Sequence, residues 1–314
     1  MKNKKFINCT GKINKKAQLF TMLTILLITL MFLSFELFSF FHESRSIKTR
    51  VSTMDAFLSS VEENLERQVY ISGFRIIFLA EERITATGNY INVNDFFNEA
   101  FFNGTVNGEP NSILYGATYN DLINSLNTKA DKINVNIVLQ NSSLYVSQNN
   151  PWSVNVKLVS DFIMNDQEDL AKWEKTQTIS TEIPITFFED PIFTTNSYAR
   201  ISRKINQTSY EGNYVNGEDV SNLLTHVTQG FYAENINAPS FLMRLQGNLS
   251  QDPNGIESFV NIPEFSAQGI PVFDKSTIDY IYFSSENPDS HAVAGMPSWF
   301  KIDSIDNHTI KYGV

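Results

Sequence analysis

The side chains that most often carry metal or nucleophilic chemistry are few in this chain and lie far apart. The histidines are His42, His226, His291 and His308, and the single cysteine is Cys9. A zinc site needs three or four nitrogen, sulfur or oxygen ligands that converge on one point. No two of these histidines have the spacing of a metal motif. We therefore expect no metal site and no cofactor.

Carboxylates are more numerous and form three short clusters: Asp166 with Glu168 and Asp169, Glu189 with Asp190, and Asp303 with Asp306. A calcium loop places oxygen ligands at alternate positions around a glycine turn and ends in a glutamate, a pattern that residues 303–307 lack. Two carboxylates that face each other in a cleft can cleave a glycosidic bond, but nothing in the sequence marks such a pair. We interpret the clusters as solvated loops.

Motifs of the common enzyme classes are missing from the sequence. It has no glycine-rich phosphate loop, no Gly-x-Ser-x-Gly elbow and no His-Glu-x-x-His pair. The tryptophans Trp152, Trp173 and Trp299 would suit a sugar-binding face, although packing in the core or at strand edges is favoured for so small a number. We therefore predict that the protein is not an enzyme, with an envelope hydrolase as the least favoured alternative.

The charge of the chain is unevenly distributed. The first sixteen residues contain six of the 24 basic residues and none of the 34 acidic ones. Without those six lysines, 18 basic residues stand against 34 acidic ones, which is a net charge of −16. Such a surface repels phosphate backbones, so we expect no nucleic-acid partner.

An apolar run from Leu19 to Phe41 follows the basic leader and contains one charged residue, Glu36. A bilayer core needs about 20 apolar residues in a helix, so the run predicts a transmembrane helix over residues 18–41. A cleaved signal peptide has a shorter apolar stretch of about 7–15 residues, followed by small residues. The lysines place the leader, residues 1–17, in the cytoplasm. We therefore predict a single-pass cell-membrane protein in contact with the lipid bilayer, with an extracellular C-terminal domain.

The apolar pattern continues after this run, at spacings that alternate between four and three residues from Ile47 to Leu79. It predicts an amphipathic helical stalk over residues 42–88. Residues 72–73 indicate a bend, and residues 87–89 indicate the end of the helix. The stripe would pack either on the protein's own sheet or on other copies of the chain, and the pattern does not decide between them.

Alternation with period two predicts a three-stranded antiparallel meander over residues 133–187, which is terminated by residues 189–191. The link over residues 166–175 is expected to be a helical turn. Helices are expected over residues 94–102, 119–130 and 219–232, with Asp95 and Asn120 as caps. The fold class is therefore α+β: a long N-terminal helix packed on a β-meander within residues 89–190, followed by a mixed region over residues 191–314.

Five Asn-x-Ser/Thr sequons lie in the predicted extracellular part: Asn103, Asn141, Asn206, Asn248 and Asn307. Outside the cell, each asparagine is a possible glycan acceptor. The single cysteine lies in the leader, so no disulfide can form within the extracellular part.

The junction Lys15-Lys16-Ala17-Gln18, with the apolar helix directly after it, resembles the class III signal peptides of archaeal type IV pilins and archaellins. The resemblance implies that a prepilin peptidase recognises Lys16, Ala17 and Gln18 and cuts between Ala17 and Gln18. It also implies that the helix contacts other pilin-like subunits. Met22 stands where many pilins carry a glutamate, which favours a minor or accessory subunit.

The extracellular part is similar to pilin-like surface proteins of archaea, in which phrases such as Asn150-Pro151-Trp152 recur. These features favour a non-enzymatic surface protein with a structural, adhesive or accessory filament role. The alternative is a membrane-anchored ligand-binding ectodomain that acts as a sensor or solute-binding protein. A preformed apolar pocket with convergent polar groups would favour that alternative.

Overall fold

The computed structural model describes residues 15–167, 172–210, 212 and 214–314. The leader residues 1–14, with Cys9, and the acidic residues Glu168 and Asp169 lie outside the described residues. The fold is α+β, as the sequence predicts. Packing divides the described residues into two units, one formed by residues 15–58 and the other by the described residues from 59 onwards.

Helix α1 is continuous from Lys15 to Thr87. Within the first unit, its large apolar side chains between Leu19 and Phe41 are all exposed, from 49% at Ile28 to 75% at Met31. In the described part of the chain, this one helix is long and apolar enough to cross a membrane. Threonine hydroxyls along it donate to carbonyls three or four residues earlier, so the helix satisfies its own polar groups.

The second unit is built on a sheet of three antiparallel strands, in the order β3, β4, β5. Strand β3 is Val135–Asn150, β4 is Ser153–Asp166 and β5 is Lys172–Pro184. Alternate side chains of β4 and β5 are buried, which gives the sheet one dry face. The meander predicted from the period-two alternation is therefore correct.

The part of α1 that belongs to the second unit covers this dry face. Its apolar stripe is buried within the chain at Val61, Leu65, Val69, Ile76 and Leu79. The sequence left two packing partners open for the stripe, the protein's own sheet and other copies of the chain. In the structure these five residues pack within the protein's own second unit, on the side of the sheet.

Gly73 brings the backbone of α1 close to the sheet. A Cβ atom there would lie 2.5 Å from Ile183 Cδ1 and 3.0 Å from Val156 Cγ2. The sequence indicated a bend at residues 72–73, but the helix assignment continues through both. The missing side chain serves close packing against the sheet.

Two predicted helix caps are wrong. Helix α2, Val93–Asn98, begins after Asn92, whose side chain accepts from the Asp95 N–H. Helix α3, Tyr119–Ala130, has the predicted bounds but begins after Thr118, which forms a capping box with Asp121. A cap lies just outside the first helical residue, and Asp95 already lies inside the helix.

The links around β5 also differ from the predictions. Asp166 belongs to β4 and residues 172–175 belong to β5, where Trp173 pairs with Met164. The strand ends at Pro184 rather than at residue 187, because its partner β4 begins at Ser153, opposite Pro184. The helix predicted over residues 94–102 is divided into α2 and a π-helical turn over Glu99–Asn103.

The remainder of the second unit consists of short elements around an aromatic core. The helices are α4 Pro191–Asn196, α5 Ser221–Gln229, α6 Phe241–Leu245, α7 Ile262–Ala267, α8 Asp279–Phe283 and α9 His308–Tyr312. The short antiparallel pairs are β1 Thr105–Val106 with β2 Glu109–Pro110, β6 Ala233–Glu234 with β7 Ile256–Glu257, and β8 Ser290–Ala292 with β9 Lys301–Asp303. Helix α5 is shorter than the predicted 219–232 because Gly230, at a φ of +65°, ends it.

Candidate functional site

A buried arginine lies at the centre of the first polar cluster. Arg244 Nη1 donates to Asp190 Oδ2 at 2.5 Å and to Asp279 Oδ2 at 2.9 Å, and none of these side chains is exposed. Its Nη2 donates to the carbonyl of Ile256. The Tyr232 hydroxyl donates to the same Asp190 oxygen at 2.8 Å. We call Asp190, Tyr232, Arg244 and Asp279 the Arg244 cluster.

Backbone donors hold both carboxylates of the Arg244 cluster in place. Asp190 caps helix α4 and accepts from the Ile192 N–H at 2.9 Å. Asp279 begins helix α8 and accepts from the Ser258 N–H at 3.1 Å. Burial raises the pKa of Asp279 to about 6, against the opposing effect of Arg244. Burial alone would lower the pKa of Arg244, but the two carboxylates raise it above its ordinary value.

A buried histidine lies at the centre of the second cluster. His308 Nδ1 is 2.6 Å from Asp303 Oδ1, and its Nε2 is 3.2 Å from Glu257 Oε2. Glu257 Oε1 accepts from Lys311 Nζ at 2.5 Å and from the Tyr312 hydroxyl at 2.8 Å. We call Glu257, Asp303, His308, Lys311 and Tyr312 the His308 cluster.

The ionisation of His308 limits what the second cluster can do. Burial lowers the pKa of His308, but hydrogen bonds with Asp303 and Glu257 outweigh it and raise the pKa to about 9. Burial would raise the pKa of Glu257, but Lys311 and His308 hold it at about 2. At neutral pH the ring is therefore an imidazolium whose two N–H groups both donate to carboxylates. A general base needs a neutral imidazole nitrogen within reach of its substrate, so this geometry stabilises packing instead.

The two clusters are neighbours along the backbone. The carbonyl of Ile256 accepts from Arg244, and the next residue, Glu257, contacts His308. Likewise Asp279 contacts Arg244, and the Tyr280 hydroxyl lies 3.1 Å from His308 Nε2. Together the clusters join α4, α6, α8, α9, β7 and β9. Among the residues that the structure describes, no group of three or more His, Cys, Asp or Glu side chains is suited to hold a metal ion.

A cleft of about 540 Å³ opens beside helix α1 in the second unit. We call it the phenylalanine cleft, and its lining residues are Phe74, Phe78, Glu81, Glu82, Thr85, Ala86, Thr186, Phe187, Phe188, Glu189 and Lys204. Phe74 and Phe78 lie one helical turn apart, outside the buried stripe, and both are exposed. The rings of Phe74 and Phe188 are 5.1 Å apart between centroids. The cleft therefore combines an aromatic wall with several charged groups.

Glu81 is half-buried and contributes a buried polar atom to the cleft. Its Oε1 atom is buried and has no hydrogen-bond partner among the described residues. Burial raises the pKa of Glu81 to about 9, and the charges of Glu189 and Asp190 add to this rise. A hydrogen bond with the backbone of Glu189 and the charge of Lys204 oppose it. Glu81 is therefore protonated at neutral pH.

Phe187 stands at the rim of the cleft in an unfavourable conformation. Its φ is +75°, a left-handed value that a bulky L-residue rarely adopts. Its ring is nevertheless 71% exposed. The backbone N–H of Phe187 donates to the carbonyl of Ile205 at 2.8 Å, which fixes the conformation. Strained residues of this kind often occur in ligand clamps.

The residues predicted from sequence as sites lie on the surface and do not converge. Lys16 and Gln18 are exposed on α1, and the side chain of Ala17 is not described. All five sequon asparagines are exposed: Asn103, Asn141, Asn206, Asn248 and Asn307. Their exposure is compatible with glycan attachment, which stays a prediction.

The three tryptophans are half-buried. Trp152 Nε1 donates to Glu234 Oε1 at 2.6 Å, and Trp299 packs against the aromatic core. These positions agree with the structural role favoured from the sequence.

Sequence reasoning missed the buried clusters and the phenylalanine cleft. Asp190 and Asp303 were noticed as members of acidic clusters and were interpreted as solvated, yet both are fully buried. The only signal for the cleft was the pair Phe74 and Phe78, two aromatic residues four apart and outside the apolar stripe. Arg244 gave no signal, because its partners lie 54 and 35 residues away along the chain.

Known proteins offer no assignment of this site. No protein-family model, no curated protein and no solved structure matches the chain.

Proposed function

We propose that this chain is a single-span surface protein that uses helix α1 as its membrane anchor and presents an acidic α+β domain outside the cell. The domain acts as a structural, adhesive or accessory filament component and not as an enzyme. The leader 1–17 stays in the cytoplasm until a prepilin peptidase removes it.

The exposed apolar surface of α1 is the observation that supports this proposal. Seventeen large apolar side chains between Leu19 and Phe41 are exposed. Burial of each such side chain is worth about 1.5–3 kcal/mol, so a bilayer or partner helices must cover this surface. The length of the run fits a bilayer core, and the lysine-rich leader orients it.

Extraction of membranes with alkaline carbonate tests the anchor. The full-length chain is expected to stay in the pellet, as integral proteins do, and its release into the supernatant would contradict the anchor. Protease added to intact cells is expected to digest the domain after residue 41 and to spare the membrane-embedded residues 18–41.

N-terminal sequencing of the mature protein tests the processing step. The pilin-like leader predicts a mature protein that begins at Gln18. A start at Met1 would contradict cleavage by a prepilin peptidase. A start well beyond Phe41 would identify a cleaved secretion signal and contradict the anchor as well.

The phenylalanine cleft favours a second candidate function, a membrane-anchored ligand-binding ectodomain. It is an open apolar cavity in which the Glu81, Glu82 and Glu189 carboxylates lie among aromatic rings, and such cavities are the usual form of small-molecule sites. The envelope hydrolase stays the weakest candidate, because Asp190 and Asp279 are both buried and ion-paired to one arginine nitrogen.

A further inference from the structure

We propose that the phenylalanine cleft binds a small organic cation, an ammonium ion with apolar substituents. This proposal rests on the second candidate function, the ligand-binding ectodomain, and assigns a class of ligand to it. The proposal does not depend on the membrane anchor or on cleavage of the leader. The proposal rests on the aromatic wall, on the charges of the cleft and on the conformation of Phe187.

The aromatic wall suits a cation with an apolar body. Phe74, Phe78, Phe187 and Phe188 all line the cleft. Aromatic faces attract ammonium groups through their ring quadrupoles, and cages of such rings bind quaternary ammonium ions. The cavity of about 540 Å³ lies within the range of small-molecule sites, about 300–1,000 Å³.

The charges of the cleft select a cation over an anion. Among the described residues that line it, the carboxylates Glu82 and Glu189 stand against one basic residue, Lys204. Glu81 is protonated and becomes a third negative charge once a cation lies beside it. The buried and unpartnered Oε1 of Glu81 is a hydrogen-bond or ion-pair position that the described part of the protein leaves open. An unpaired buried oxygen is costly, and an ammonium group beside it would remove that cost. A hydrocarbon occupant, such as an acyl chain or an apolar helix face, would leave this oxygen unpaired and its free-energy cost unchanged.

Phe187 supplies the third observation. A left-handed φ costs about 1–2 kcal/mol for an L-residue, and exposure of the ring to water adds to this cost. The conformation places the ring at the mouth of the cleft, where it can close over a bound cation. A glycine would adopt the same φ at no cost, so the aromatic ring itself is what the position requires.

Proton release follows from the same geometry. The charged groups around Glu81 are Glu189, Asp190 and Lys204. Burial keeps the Glu81 carboxyl protonated, and a cation placed beside it would favour the carboxylate. Binding should therefore release a proton, so the affinity should rise as the pH increases towards about 9, the pKa of Glu81.

Calorimetric titration of the full chain in a non-ionic detergent free of choline tests the proposal. Benzyltrimethylammonium is the probe, with benzyl alcohol as the neutral control and phenylacetate as the anionic one. We expect the cation to bind with a Kd of about 0.1–1 mM, which is ordinary for a ligand of this size. The controls should bind at least tenfold more weakly. Equal binding of benzyl alcohol or phenylacetate would overturn the proposal.

Variants locate the site. Glu81→Gln should weaken binding of the cation about tenfold, the loss of one charge-assisted contact, and should abolish the dependence of affinity on pH. Phe187→Ala should also weaken binding of the cation. Two control variants should leave binding unchanged: Glu66→Gln, which is exposed elsewhere on α1, and Phe273→Ala, which is exposed outside the cleft. Unchanged binding by both Glu81→Gln and Phe187→Ala would overturn the proposal. Membrane extraction is unaffected by either result, so failure here is distinct from failure of the anchor.

Discussion

At the scale of single residues, Phe187 combines a left-handed backbone with an exposed aromatic ring. Both features are unfavourable, so neither contributes to the stability of the fold. The neighbouring residue shows the contrast, because Phe188 is buried against Phe74 and Phe241. Two adjacent phenylalanines therefore have different roles, one in the core and one at the mouth of the cleft.

Phe187→Gly should separate stability from binding. Glycine relieves a strain of about 1–2 kcal/mol but adds entropy to the unfolded chain, so the free energy of unfolding should stay unchanged or rise by up to about 1 kcal/mol. Phe188→Ala is the matched control and should lower it by about 3–5 kcal/mol. Denaturant titration measures both values. A large loss of stability in Phe187→Gly would show that the ring supports the core.

Glu81→Gln should change how stability depends on pH. The pKa of Glu81 is about 9 in the folded protein, against 4.5 for an unperturbed glutamate in an open chain. The folded state therefore holds a proton that the unfolded state loses, so stability falls as pH rises from about 4.5 to 9. Glutamine does not titrate, so Glu81→Gln removes this loss of stability at high pH.

The variant should be more stable than the parent by on the order of 4 kcal/mol at pH 7.5 and nearly equal to it at pH 4.5. Thermal or denaturant unfolding across this pH range measures the difference, and the comparison cancels other titrating groups such as His226 and His308. A difference that does not change with pH would show that Glu81 is already ionised in the folded protein.

At the scale of elements, buried ion pairs hold the short elements after residue 190 together, whereas backbone hydrogen bonds hold the three-stranded sheet together. The helices and strands after residue 190 are short, with nine residues in the longest, α5, and few backbone ladders join them. The Arg244 and His308 clusters connect six of these elements through side chains. A buried charge that loses its partner is strongly destabilising, so each pairing fixes the position of two elements at once.

Arg244→Met should destabilise the second unit severely. The change leaves Asp190 and Asp279 buried without their cation, and the loss of one partner of a buried pair typically costs about 3–5 kcal/mol. The matched control is Arg67→Met, on the exposed face of α1, which should change stability by less than about 0.5 kcal/mol. Chemical denaturation followed by tryptophan fluorescence reports both. Equal stability of the two variants would contradict the role assigned to the cluster.

Gly73→Ala should disturb the packing of α1 on the sheet. Alanine favours a helix over glycine by about 1 kcal/mol, but its Cβ would lie 2.5 Å from Ile183 Cδ1. We expect a net loss of about 1–2 kcal/mol, because overpacking outweighs propensity. Ile183→Val removes the clashing methyl group, so the double variant should recover part of the loss. A double-mutant cycle measures this coupling, and strict additivity would contradict a direct contact.

The sequence predicted the elements whose pattern is local. The period-two alternation gave the three strands, and the stripe of Val61, Leu65 and Val69 gave the buried face of α1. Cap positions were misplaced by two and three residues, because Asn92 and Asp95 are equally good acceptors and only backbone geometry distinguishes them.

The candidate site was less predictable. The partners of Arg244 lie far away along the chain, and no spacing rule relates them. The cleft needs a left-handed φ at Phe187, which composition does not reveal. Only its two helix residues, Phe74 and Phe78, could be found by asking which aromatic side chains of α1 lie outside the stripe.

At the scale of the whole molecule, charge and hydrophobicity are separated along the chain. Apolar surface is concentrated between Leu19 and Phe41, and acidic residues are concentrated after it. The chain as a whole has a net charge of −10. This distribution suits a protein whose two parts meet different solvents, and it makes the apolar run the feature to test.

The double variant Leu26→Lys/Leu30→Lys should release the protein from membranes. Each lysine near the centre of a bilayer helix costs about 2.5–3.5 kcal/mol on an insertion scale. The matched control, Thr49→Lys/Thr53→Lys, adds the same charge on the same helix beyond the apolar run. Carbonate extraction should leave the control in the pellet and move the double variant to the supernatant. Retention of both would show that the run is not what holds the chain to the membrane.

The His308 cluster imposes an order on biosynthesis. Glu257 precedes His308 by 51 residues and Lys311 by 54, so a ribosome working at about 5–20 residues per second makes the carboxylate roughly 3–10 seconds before its cations. During that interval β7 has a carboxylate that no core can accept. The core around β7 therefore cannot close on Glu257 until His308 and Lys311 have been made, because a buried carboxylate without its cation is strongly destabilising. The C-terminal helix α9 is thus the last piece that the core of the second unit needs.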